Sequence, residues 1–110
     1  MPVPLHQAKA DLFRTLGHPA RIRVLELLQD RPRPVHELLS EIDVEASNLS
    51  QQLAVLRRAG IVVSTREGGT VLYSLGTSDV ADLMQAARRF LTDLLSDQER
   101  LLTELRTGTG

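Results

Sequence analysis

Within residues 47–59 (SNLSQQLAVLRRA), Ser47, Asn48, Ser50, Gln51, Arg57 and Arg58 carry hydroxyl, amide and guanidinium groups. These are the groups that exchange hydrogen bonds with base edges and with phosphate oxygens. Spacing decides whether they act together. On a helical wheel with Leu49 at zero, Leu53 and Leu56 fall within about 40° of it, a narrow apolar stripe. The opposite side shows Ser47, Ser50, Gln51, Ala54 and Arg58, with Asn48 and Val55 at its edge, and it is almost free of acids. The N-terminal part of such a helix reaches deepest into a groove. Ser47, Asn48, Ser50 and Gln51 are therefore assigned to base-edge or nearby phosphate contacts. Arg57 and Arg58, in the last turn, suit both the helix C-terminus and a phosphate. Gln52 lies nearer the buried side and is expected to bond within the protein. Taken alone, the stretch also fits a solvated amphipathic helix.

The residues just after this helix tip the balance. Gly60 stands where a left-handed C-terminal cap is wanted. The period then changes: IVVSTR, EGG and TVLYSL read as two β-rich segments joined by a glycine turn, a hairpin over residues 61–75. Arg66 and Thr70 flank its Glu67-Gly68-Gly69 tip. Arg66 suits the minor groove or the backbone, and Glu67, unfavourable near phosphates, is expected to splay away.

Other elements must position this pair. Helical spacing predicts helices over residues 5–16, 20–29, 35–41 and 46–59, and again from 78 or 79 to about 105 with Thr77 or Ser78 as its cap. Gly17 and Pro19 separate the first two, and Arg31-Pro32-Arg33-Pro34 forms a stiff polar connector. Arg21 falls inside the apolar arc of the second helix, where a buried or half-buried ion pair is expected. The fold class is mainly α with a β-hairpin, a winged helix-turn-helix of order α-α-α-α-β-β-α. It is expected as a single domain over residues 1–106, with 107–110 a frayed tail. One hairpin cannot support an α/β nucleotide fold, and no nucleophile–base pair or phosphate loop appears at a readable spacing, so no enzyme activity is expected.

Bulk properties narrow the classes further. Of 110 residues, 42% are hydrophobic and only 3% aromatic, so the core is aliphatic. Net charge is −1, which does not announce a nucleic-acid binder. Residues 78–110 hold four Arg against six acids, an acidic end that limits non-specific adhesion. There are no cysteines, hence no disulfide, thiolate metal site or thiol switch. The opening MPVPLHQAKADLF lacks a long apolar run, and a cytoplasmic location is expected.

Three segments together, LGHPARIRVLELL, VHELLSEIDVEASNLSQQLAVLRRAGIV and REGGTVLYSL, resemble the ArsR/SmtB family of bacterial repressors over residues 5–95. The resemblance implies a homodimer in which the first and last helices of two copies pack together. It would place Leu12, Phe13 and Leu16 with Leu83, Ala87, Phe90, Leu91 and Leu94 at that contact, some of them doubling as intrachain core. A two-fold dimer implies double-stranded DNA with an inverted-repeat operator, repression when bound and release by an inducer.

The family's metal sites do not carry over. The thiolate pair of its third helix falls on Pro34 and His36. Its last-helix site would begin at Asp79 and expect histidine where Ala81 stands. His18 is expected to cap or pack at the helix boundary. His6 with partner carboxylates is the one arrangement left open, so no metal and no cofactor is assigned. The effector stays open between a small organic molecule, a protein partner and constitutive DNA binding. A sequence-specific homodimeric repressor leads. The alternative is a winged-helix protein-interaction module without DNA binding, whose outer face at 47–58 should be more apolar.

Overall fold

The computed structural model describes residues 2–107. Its elements run α1 (Leu5–Leu16), α2 (Pro19–Leu27), β1 (Arg33–Pro34), α3 (Val35–Glu41), α4 (Ala46–Arg58), β2 (Val62–Glu67), β3 (Thr70–Leu75) and α5 (Ser78–Thr107). The predicted helices and hairpin form, and the architecture is a winged helix-turn-helix. Local chemistry sets the boundaries. Pro19 stands at the first position of α2, and His18 caps it, its Nδ1 accepting from the Ala20 N–H at 3.2 Å. Thr77 Oγ1 caps α5 by accepting from the Asp79 N–H. Gly60 ends α4 with φ 77°, and Gly68 and Gly69 turn the hairpin with φ 56° and 83°, a region that L side chains adopt only at a cost.

The sheet differs from expectation. Residues 33–34 are not merely a connector: they pair antiparallel with β3, Arg33 opposite Tyr73 and Pro34 opposite Leu72, giving three strands in the order β1-β3-β2. Pro34 has no N–H, so it is tolerated only on such an edge. A strand of two residues has no alternation to betray it.

Leu25, Leu38, Leu49, Leu53, Leu56, Val24 and Val62 are the largest fully buried side chains, drawn from α2, α3, α4 and β2. The outer helices contribute little. Leu16 is the buried residue of α1 and Met84 that of α5. Every residue from 85 to 107 is exposed, and Thr107 still belongs to the helix; the rest of the expected frayed tail, 108–110, lies outside the described residues. At 30 residues α5 is about 45 Å long. The radius of gyration is 18.1 Å, where a compact domain of this size would have about 13 Å.

Candidate nucleic-acid interface

α4 is mounted on the body by its apolar stripe. Leu49 and Leu56 are 0% exposed and Leu53 2%. Burial of three leucines on one helix, at about 1.5–3 kcal/mol each, fixes its rotation about its own axis. The face turned outward carries Ser47, Asn48, Ser50, Gln51, Arg57 and Arg58, all exposed. No side chain caps the N-terminus of α4, so its first-turn amides are open to an anion. Arg57 and Arg58 sit in the last turn, and among the described residues neither has an acidic group within salt-bridge distance.

Arg21 is half-buried as expected, but among the described residues the expected ion pair is absent. Its Nε donates to Gln52 Oε1 at 2.7 Å, and its Nη1 donates to the Thr15 carbonyl at 3.0 Å. Its partners are a neutral amide and a carbonyl, and no carboxylate among the described residues lies within salt-bridge distance. Gln52 is the buried polar residue of the core, as its place on the wheel predicted. Its Nε2 donates to Asn48 Oδ1 at 2.9 Å. The bond from Arg21 to Gln52 escaped sequence reasoning, since 31 residues separate the two.

The wing lies beside α4 through β2. Register pairs Arg66 with Val71 and Glu67 with Thr70. Cross-strand partners share a face, so Arg66 and Thr70 stand on opposite faces of the ribbon. Both are exposed.

The residues assigned to a dimer contact divide. Leu16 is 5% exposed and belongs to the intrachain core, and Leu83 is half-buried against it. Leu12, Phe13, Phe90, Leu91 and Leu94 are 38%, 57%, 67%, 52% and 42% exposed, and Ala87 is exposed too. With Gly17, Ile22 and Met84, several of these line an apolar groove of about 620 Å³ between α1, α2 and α5. A polar clasp went unforeseen: Arg31 and Arg33 both reach Glu37, at 2.8 and 3.8 Å, and Arg33 also meets Asp30 at 3.3 Å. Among the described residues no three His, Asp or Glu side chains gather as a metal site would require, and no helix is long and apolar enough to cross a membrane.

Comparison with known proteins places this geometry. A family profile described as a helix-turn-helix domain matches residues 16–65. Rv0081, an uncharacterised HTH-type transcriptional regulator of Mycobacterium tuberculosis, is 53% identical over 106 residues, 96% of this chain and 93% of its own length. Its crystal structure superposes with a TM-score of 0.80 over 88% of this chain and 98% of that one. The HTH-type transcriptional repressor SmtB of the same species is 35% identical over 83 residues, 76% of this chain and 62% of its own. The solution structure of Mb0332 from Mycobacterium bovis is a homodimeric winged helix-turn-helix DNA-binding domain of a possible ArsR-family transcriptional regulator. It is 25% identical, with a TM-score of 0.77 over 84% of this chain and 86% of that one.

Proposed function

The chain belongs to the ArsR/SmtB family of winged helix-turn-helix transcriptional regulators, and on that premise we propose that it is a homodimeric, sequence-specific DNA-binding repressor acting at an inverted-repeat operator. The observation that carries the proposal is the outer face of α4. It offers hydroxyls, amides and two arginines without acidic partners among the described residues, on a helix whose rotation is fixed by Leu49, Leu53 and Leu56. A protein-docking face would bury apolar side chains instead. Ser47, Asn48, Ser50 and Gln51 meet base edges or adjoining phosphates, and Arg57, Arg58, Arg66 and Thr70 meet the backbone and wing-side groove. Residues 1–106 act as one domain. The exposed Leu12, Phe13, Ala87, Phe90, Leu91 and Leu94 close the dimer, in keeping with the homodimer reported for Mb0332.

The test is selection of the full-length protein against double-stranded DNA with a randomised core. The expected outcome is a two-fold symmetric motif with half-sites about one helical turn apart, bound more weakly as salt rises. Recovery of no enriched sequence would refute the proposal.

A further inference from the structure

A side-chain amide is a two-faced reader: its oxygen accepts and its nitrogen donates, and an amide free in solvent presents either. Asn48 is exposed on the outer face of α4, yet it is not free to turn. The constraint begins at Arg21. A guanidinium only donates, so the end of Gln52 that meets Arg21 Nε at 2.7 Å must be its oxygen. Arg21 is itself anchored by its second bond to the Thr15 carbonyl. The other end of Gln52 is then necessarily its NH2, and this lies 2.9 Å from Asn48. An NH2 only donates, so Asn48 must turn its oxygen inward and leave its own NH2 outward. Gln52 is only 9% exposed, so water competes poorly for the places of its two partners. A turned Gln52 would press donor against donor in a buried place, and such a state should hold less than about a tenth of the population.

We propose that Arg21, acting through Gln52, locks Asn48 as a hydrogen-bond donor toward DNA, so that Asn48 reads an acceptor: the O6/N7 edge of guanine or a phosphate oxygen. This rests on α4 being the DNA-facing helix. Arg21 and Gln52 are positioning residues, and the positive charge at the head of the chain polarises each bond after it and strengthens the outward donor. The two-point contact of asparagine with adenine, which needs its oxygen as well as its nitrogen, is disfavoured here.

The substitution Gln52→Glu inverts the lock while keeping a partner for Arg21. One carboxylate oxygen stays on Arg21, the other demands a donor, and Asn48 turns its NH2 inward to supply it. Asn48→Asp presents outward oxygen directly, and Gln52 can still donate to it. Full-length wild type, Q52E, N48D and N48A are each selected against randomised duplex DNA, with thermal unfolding to confirm that each is folded. If Asn48 reads a base, Q52E and N48D bind the wild-type site about tenfold more weakly and shift one position per half-site from guanine to a base with an amino donor, cytosine or adenine. If it holds a phosphate, both lose affinity uniformly with no shift in preference. Either result supports the lock and identifies the acceptor. In the N48A background Q52E should then change nothing further. A folded N48D that keeps wild-type preference and affinity within twofold overturns the proposal, as does a Q52E effect that persists in N48A. Failure of the wild type to enrich any sequence overturns the assignment of α4 and this inference with it.

Discussion

Leu53 and Leu94 are the same residue type on two helices of the same chain, and the first is 2% exposed, the second 42%. The contrast extends to their surroundings. In the half of the molecule built from α2 to β3, apolar side chains find partners within the chain; α2 and α4 bury four residues each. In the outer half, α1 and the far end of α5 each repeat the same helical apolar spacing and cover almost none of it. Phe13, Phe90, Leu91, Leu94, Leu95, Leu101, Leu102 and Leu105 stand exposed on those two helices. A monomer rarely leaves so many large apolar side chains in water without a use for them. One half spends its leucines on holding α4 still, and the other leaves them uncovered, as the proposed homodimer requires.

Substitution of leucine in each half should therefore give two different failures. Leu53→Ala removes packing from under α4 and should lower the unfolding free energy by about 2–5 kcal/mol, read by denaturant titration. The pair Leu91→Asp with Leu94→Asp should leave the fold of the inner half intact and abolish self-association. Sedimentation at micromolar concentration should give the monomer mass, with the dissociation constant raised at least about 100-fold. Equal loss of stability from both sets would erase the distinction between the halves.

The Arg33 clasp sharpens the comparison from the polar side. Slight desolvation pushes the Asp30 carboxyl up, but the Arg33 hydrogen bond, its own backbone and the charges of Arg33 and Arg31 together hold it below its ordinary value. A depressed carboxylate stabilises the fold at pH above the ordinary aspartate range, and that contribution fades as pH falls below it. Asp30→Asn should thus be slightly less stable than wild type at pH 7, with the gap closing in acid, measured by thermal unfolding at both. Because Asp30 is exposed, this is the smallest of the effects.

Much of this was legible in the sequence. Residues 5–16 and 35–41 emerge as the helices α1 and α3 because proline, glycine and apolar spacing mark their ends locally. The hairpin and the caps at His18 and Thr77 rest on similarly local chemistry. Two of the features that escaped depend on partners distant in the chain. Residues 33–34 become a strand only because β3 offers an edge, and Arg21 finds Gln52 rather than a carboxylate only once α2 meets α4. Leu16 could serve a dimer or a core on spacing alone; its burial comes from where α1 turns into α2. At the site, the face of α4 was readable, whereas the separation of Arg66 from Thr70 required the register of the hairpin.

The far end of α5 also bears on how long the protein survives. A helix without a packed face is marginal in water, and residues 85–107 have no such face in the single chain. In the proposed homodimer a second copy covers that segment, and in the lone chain its opening costs little. Proteases cut open chain, so a lone protomer would be trimmed there while an assembled pair is spared. Abundance would then feed back on lifetime: copies present at too low a concentration to pair are the ones removed first.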